Sequence, residues 1–268
     1  MKLFVFDVDG TLVYDGGKIS NENICAIQDR LDKGDAIAIA SGRPFVGIDI
    51  YLSEFKGKNR YALGANGSII QDSNGTILNI DGLKMKDLVS IRNKYKNYIE
   101  PYGGEIYAYD KTGNVVTFID SYWSKAEIIY NHVSVKIIDE NNLDMDESIL
   151  KVMVSAKEDV ISNLKIDGED ENKYNIVLSD PKFLEFVNKS ADKSEAVSFL
   201  ANYLGISKND IYTFGDQEND ARMIKNYNGI AMGNAIELCK SNAKFITLDV
   251  KDSGIAYAFE KYISKNED

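Results

Sequence analysis

Two aspartates, Asp7 and Asp9, stand two positions apart at the end of an apolar run, in MKLFVFDVDGTLVYDGG. Alone, such a pair is an ordinary solvated turn closing a strand. Its company makes it a candidate reaction centre. Three more groups with chemical capacity follow apolar runs or open helices: Ser41-Gly42-Arg43 after AIAIA, Lys193 at the head of a helix-like segment, and Gly215-Asp216-Gln217-Glu218-Asn219-Asp220 after IYTF. Asp7, Asp9 and Asp216 are hard oxygen ligands suited to Mg2+, which takes few protein carboxylates and keeps several waters. A dication would also relieve the repulsion between packed carboxylates. Ser41 can donate its hydroxyl to a phosphate oxygen. The Gly42 N–H adds a donor, helped by the positive end of the helix expected there. Lys193 adds a cation. An anion cradle, a cation and a carboxylate nucleophile are the parts for phosphoryl transfer through an aspartyl-phosphate.

Composition narrows the alternatives. The chain has 268 residues, 44% hydrophobic and 27% charged, as in soluble globular proteins of one large or two ordinary domains. No apolar stretch approaches the roughly 20 residues that span a bilayer. The apolar run after Lys2 is also short of the roughly 7–15 residues of a signal-peptide core, so the expected location is cytoplasmic. The net charge of −11 argues against general nucleic-acid binding and suits a protein that recruits Mg2+. His132 is the single histidine, which disfavours His-rich metal sites and a Ser-His-Asp triad. Cys25 and Cys239, the two cysteines, sit in helix-like apolar settings and are expected as buried reduced thiols.

The elements that must position these groups are legible as runs. KLFVF (2–6) and AIAIA (36–40) are continuous apolar strands of the kind covered on both faces in a parallel sheet. Between them SNENICAIQDRLDKG predicts a helix capped by Ser20, with Ile24, Ile27 and Leu31 on one face and Gly34 as the stop. The alternation resumes late. SEAVSFLANYLG is a helix ending at Gly205, followed by strand IYTF, helix NDARMIKNY, strand GIAM, helix NAIELCKSNA and strand KFITL. The middle differs. KMKDLVSIRNKYKNYI is an amphipathic helix, EIYAYD and NVVTFID form a hairpin around Lys111-Thr112-Gly113, and ILKVMVSA is a strand leading into the helix EDVISNLK. NIVLSDPKFLEFV turns at Asp180-Pro181. The fold class is therefore α/β, a parallel-sheet core of residues 1–81 and 185–268 carrying an inserted α+β domain at 82–184. In an open α/β sheet ligands bind at the carboxyl ends of the strands, where all four clusters would converge.

DVDGTL, ASGR, a lysine opening a late helix, and GDQEND, in that order, resemble the four signature motifs of the haloacid dehalogenase superfamily. The middle domain resembles the type C2 cap of its Cof-like, subclass IIB phosphatases, and GANGS (64–68) is similar to that branch's Asn-Gly segment. The resemblance covers essentially the whole chain and implies a Rossmann-like core. It implies a Mg2+-dependent phosphatase of small phosphorylated metabolites, such as sugar phosphates. Asp7 would be the nucleophile. Asp9 would protonate the leaving oxygen and then activate water, with its backbone carbonyl on the metal. Asp216 would be a metal ligand. Ser41 and Gly42 would hold the phosphoryl group, and Lys193 would bridge it to Asp7. Thr11 would support the loop, Asp220 would sit behind the metal ligands, and Asn219 would bind phosphate or orient Lys193. Arg43 and Asn66 would face the substrate.

Some positions carry two readings. Lys189 rivals Lys193, because NKSADK lacks the Pro and Gly usual before the family's lysine and Ser194 replaces a common Gly; the helix after Lys193 favours Lys193. Arg43 precedes Pro44 and could be a surface charge, Asn66 a turn residue with Gly67, and Asp220 a helix cap. His132 and Trp123 are expected to pack or face solvent, EIYAYD and YNIV to form a sheet face, DENNLDMDE (139–147) to be a solvated loop, and the tail SKNED to fray. Two other functions use similar parts: a phosphomutase, which returns the phosphoryl group to a sugar, and a receiver-like module, which keeps it as a signal.

Overall fold

The computed structural model describes residues 1–131 and 133–263, so the expectations for His132 and the tail SKNED lie outside the described residues. The chain divides into two compact units. One comprises Met1–Gly42, Ile48–Leu78 and the chain from Asp192 on; the other comprises Arg43–Gly47 and Asn79–Ala191.

The first unit is built on an eight-stranded sheet. Its centre is β1 (Leu3–Phe6), all four residues of which are buried. β1 pairs in parallel with β2 (Ala36–Ala40) on one side and with strand Ile211–Gly215 on the other, in the register Leu3↔Ala36 and Leu3↔Ile211. Parallel pairing continues outward to Arg60–Gly64, and on the other side to Asn228–Ala231 and Phe245–Ile246. Strand Ile69–Asp72 adds in antiparallel, and Ile77–Ile80 closes that edge. Both faces of the central strands are covered, which is why they read as unbroken apolar runs. Leu3, Val5, Ala38 and Leu63 pack with Val197, Leu200 and Met223. On the opposite face Phe4, Phe6 and Phe214 meet Phe259.

Ser20 caps the helix Asn21–Asp32 through the Asn23 N–H, and Gly34 ends it at φ 86°. That helix overturns one expectation. It buries Asn23, Ile27 and Leu31, and Cys25, two residues from Asn23 and from Ile27, falls on the opposite side and is exposed. Cys239 is buried as expected. The late elements are shorter than the runs suggest. NAIELCKSNA is helical only over Glu237–Asn242, and KFITL pairs only over Phe245–Ile246.

The second unit is a seven-stranded sheet with the order Tyr174–Asp180, Phe183–Asn188, Ser148–Ser155, Glu105–Asp110, Val115–Thr117, Val135–Ile137, and Leu83–Lys84 joined to Ser148–Ser155. All pairings are antiparallel except the last on the main path. Helix Met85–Ile99 lays Leu88, Ile91, Tyr95 and Ile99 on one face of the sheet, against Ile106, Val152, Val154 and Phe186. The alternate residues Tyr107 and Tyr109 both donate their hydroxyls to the buried Glu127 at 2.5 Å. Glu127 lies in helix Tyr122–Asn131, which the apolar pattern does not signal. Trp123 of the same helix packs edge-on against Phe183 and donates its indole N–H to Gly103. Strand Phe183–Asn188 runs past residue 184, because Tyr174 pairs with Asn188, so the sequence boundary falls within that hairpin.

Candidate active site

β1 ends at Phe6, and its two parallel neighbours end at Ala40 and Gly215. The chain therefore delivers Asp7, Ser41 and Asp216 from the carboxyl ends of three adjacent strands. The Asp7 N–H still reaches across to Phe214 O at 3.1 Å, which fixes the first residue beyond the strand. The chain then turns sharply. Val8 O accepts from the N–H groups of Thr11, Leu12 and Val13, and Gly10 stands at φ 89°. Asp7 is 7% exposed, whereas the Asp9 side chain is exposed. Because the strand stops before Asp7, the turn and not the pleat separates the two carboxylates.

Asp7 Oδ1 accepts from Lys193 Nζ at 2.6 Å, and Asp220 Oδ1 accepts from the same ammonium at 2.7 Å. Lys193 is 1% exposed and is the first residue of helix Lys193–Leu204, whose cap Asp192 accepts from the Ser194 and Glu195 N–H groups. Asp220 Oδ2 accepts from the Asp216 and Gln217 N–H groups at 3.0 and 3.1 Å. Asp216 itself accepts from Thr11 Oγ1 at 3.0 Å and from Gln217 Nε2 at 2.9 Å. Two glycines make the packing possible. A Cβ on Gly10 would stand 2.3 Å from Asp216 Oδ2, and one on Gly215 would stand 2.4 Å from Asp220 Cβ.

Oxygens of Asp7, Asp216 and Asp220 lie within 4.8 Å of one another, all buried. Asp220 here joins Asp7 and Asp216. The Asp9 carboxylate is outside the triangle, carried out by the turn; the metal contact expected of Asp9 is through its backbone carbonyl. Both Asp220 oxygens are already occupied by Lys193 and by two N–H groups, which leaves Asp7 and Asp216 as the carboxylates better placed for a cation. Electrostatics agree with that fit. Burial, with the charge of Asp220 added, pushes the Asp7 carboxyl up to about 8 against the pull of Lys193, and burial also raises Asp216. Burial works against the Lys193 charge, but Asp220 and Asp7 outweigh it and hold the ammonium protonated. One cation among three buried carboxylates leaves an excess of negative charge that a dication would balance. A pocket of about 430 Å3 opens against Asp9, Gly10, Asp216 and Gln217.

Ser41 is buried, and its backbone carbonyl accepts from the Asn66 N–H at 2.9 Å. The adjacent helix spans Phe45–Leu52, so Ser41 and Gly42 lie ahead of it and not in its first turn, a correction caused by Pro44. Ala65 and Asn66 both adopt left-handed backbone, at φ 49° and 56°. There Asn66 Oδ1 accepts from Asn219 Nδ2 at 3.2 Å. Asn219 thus meets Asn66, and no bond of its side chain to Lys193 is found among the described residues. Arg43 falls in the short segment that clusters with the second unit. Lys189 is elsewhere: its ammonium donates to Glu171 O at 2.7 Å on an exposed surface. Among the described residues no cluster of metal-ligating side chains forms in the 139–147 stretch.

Three further residues take part that the sequence reading gave no role. Gln217 steadies Asp216. Asn234 donates to Gly10 O at 2.8 Å from the turn after strand Asn228–Ala231. Cys239 Sγ contacts Gln217 O at 3.0 Å, and burial, reinforced by Asp220 and Asp216, pushes its thiol up to about 12, so it stays protonated and inert.

A largely parallel sheet thus gathers buried carboxylates and a lysine at its carboxyl edge. Residues 4–259 match the family of haloacid dehalogenase-like hydrolases, and the chain belongs to that family. It is a phosphatase-class enzyme. Two Bacillus subtilis enzymes, both 5-amino-6-(5-phospho-D-ribitylamino)uracil phosphatases, resemble it: one is 27% identical over 285 residues, with 98% of this chain and 99% of the relative covered, the other 28% identical over 270 residues, with 98% and 96% covered. A haloacid dehalogenase-like hydrolase from Bacteroides thetaiotaomicron shares the fold with a TM-score of 0.81 and 28% identity, over 97% of this chain and 98% of that one. No helix among the described residues is long and apolar enough to cross a membrane.

Proposed function

We propose that the protein hydrolyses phosphomonoesters of small cytoplasmic metabolites, sugar or sugar-alcohol phosphates among them, through a phosphoryl group carried on Asp7 and with Mg2+ as cofactor. The observation that carries this reading is the buried Lys193–Asp7 contact beside Asp216, which sets a carboxylate nucleophile against a fixed cation. The ribityl phosphate named for the two Bacillus enzymes supports a polyol leaving group.

Asp7 Oδ attacks phosphorus, and the bond from phosphorus to the ester oxygen breaks. Asp9, exposed where substrate oxygen can reach it, gives that oxygen its proton. The carboxylate left on Asp9 then takes a proton from water, which attacks phosphorus and releases phosphate from Asp7. Lys193 neutralises charge on Asp7 and on the phosphoryl oxygens. Ser41 and the Gly42 N–H bind those oxygens, with Asn219 and Asn66 beside them and Arg43 on the substrate side. Thr11 and Asp220 hold Asp216 in place. Mg2+ would be held by Asp7, Asp216 and the Asp9 backbone carbonyl, where it would neutralise the phosphoryl group and the excess of buried carboxylates. Residues 82–184 act as an inserted cap that selects the leaving group. A panel of phosphorylated metabolites, assayed for phosphate release with Mg2+, tests the proposal. Release from at least one member at a rate above about 1 s−1 is the expected result. Isomer formation without release would make the protein a mutase, and a stable phospho-form without turnover a sensor.

A further inference from the structure

We propose that Gln217 is a positioning residue for the metal ligand Asp216, and that its amide sets the affinity of the site for a divalent cation. A carboxylate turns easily about the bond from Cβ to Cγ, a torsion with broad preferences. Asp216 is denied that freedom by a donor on each oxygen. Thr11 Oγ1 donates to Oδ1 at 3.0 Å, and Gln217 Nε2 donates to Oδ2 at 2.9 Å. An ionised carboxylate only accepts, so the amide must present its nitrogen there. Each carboxylate oxygen keeps a further lone pair for a cation. An oxygen of Asp216 lies within 4.8 Å of one of Asp7, the other carboxylate left for the metal.

The amide is itself delivered by a fixed backbone. The Gln217 N–H donates to Asp220 Oδ2 at 3.1 Å, and the Gln217 carbonyl accepts from the Asp220 N–H at 3.0 Å and from the Cys239 thiol at 3.0 Å. The two donors on Asp216 differ in setting: Thr11 is fully buried, whereas Gln217 is exposed. Removing the Gln217 amide therefore opens no cavity in the core. It leaves Thr11 as the side-chain donor on Asp216 among the described residues, and the carboxylate can pivot about that bond. Charge also favours an amide here. A lysine would hold the oxygen with a charge that repels Mg2+, and a glutamate would add to the excess of negative charge. The neutral donor orients the ligand and does neither. The Asp7–Lys193–Asp220 contacts do not involve the Gln217 side chain. The defect should fall on metal binding and leave the metal-loaded enzyme near its normal rate.

The inference rests on the reading of Asp216 as a metal ligand, and the test separates the two. The metal-free wild type, Gln217→Met, Gln217→Ala and Asp216→Asn are titrated with Mg2+ by calorimetry and with Mn2+ by electron paramagnetic resonance of the free ion. Gln217→Met keeps the length of the side chain and loses only the donor, so it should behave like Gln217→Ala. For both we expect the Kd for either cation to rise about 10- to 100-fold, with the melting temperature of the metal-free protein unchanged. At saturating Mg2+ their kcat should stay within about 3-fold of the wild type. A smaller rise in Kd, or tighter binding, would overturn the assignment. So would a Gln217→Met that binds like the wild type, or a lower kcat at saturating Mg2+ with the Kd unchanged. If Asp216→Asn binds both cations as tightly as the wild type, the reading of Asp216 as a ligand fails, and the role of Gln217 with it.

Discussion

Lys193 Nζ stands 2.6 Å from Asp7 Oδ1, and the lysine side chain is fully buried against a carboxylate only 10% exposed. The same ammonium holds Asp220 at 2.7 Å, so one charge organises groups from the first strand and from the far end of the chain. Removing one partner of such a set strands the others in low dielectric, which typically costs about 3–5 kcal/mol. Lys193→Met should therefore destabilise the protein by that order and abolish phosphate release. Lys189→Met, at an exposed surface, should change stability by less than about 0.5 kcal/mol and leave turnover intact. Denaturant melts and rates of the two variants check the contrast. Similar losses in both would contradict the assignment.

Metal dependence follows from the charge balance around Asp7 and Asp216. Activity should vanish in EDTA and return with Mg2+, and Asp216→Asn should lower turnover at least about 100-fold. Gly10→Ala is a second probe, because its methyl would press on the Asp216 carboxylate. It should weaken Mg2+ activation, read as a higher Mg2+ concentration at half-maximal rate. Full activity in metal-free buffer would refute the metal's role.

Acid should loosen the second unit through Asp87. Burial raises its carboxyl, but hydrogen bonds from Lys173, the Lys84 N–H and Tyr174 outweigh that and hold it below its ordinary value of 3.8. A depressed carboxyl contributes stability above its unfolded value and loses it as pH falls through the folded one. Asp87→Asn should therefore be destabilising at pH 7, and its difference from the wild type should shrink as pH drops below about 4. A difference that stays constant from pH 7 to pH 3 would contradict this.

The cap proposal predicts a change in preference. With residues 82–184 replaced by a short linker, the protein should lose discrimination among metabolites while retaining slow hydrolysis of a small aryl phosphate. An unchanged order of preference in a folded variant would place specificity in the first unit.

Much of this molecule was legible because its central strands are buried on both faces. LFVF, AIAIA and IYTFG stand out as runs of strand character, and the polar residue after each is by topology at the carboxyl edge. Lys193 could be preferred over Lys189 because a helix begins at it. Other features leave no local trace. Asp220 looks like a helix cap and does accept from the nearby Asp216 and Gln217 N–H groups, but its bond to Lys193 depends on how strand Ile211–Gly215 meets a helix from earlier in the chain. Helix Gly168–Lys173 buries only Asp170, so it has no apolar period to read. Cys25 lies in an apolar stretch of sequence, yet helical geometry turns it outward.

The account stands on Asp7 as the group that takes the phosphoryl. Rapid-quench mass spectrometry of Asp9→Asn and Asp7→Asn with an activated aryl phosphate tests this directly. In Asp9→Asn the leaving group needs no proton but water lacks its base, so phosphate should accumulate on Asp7 and map to the peptide that contains it. In Asp7→Asn neither adduct nor turnover should be found. Turnover surviving in Asp7→Asn, or an adduct mapped to any other side chain, would contradict the account.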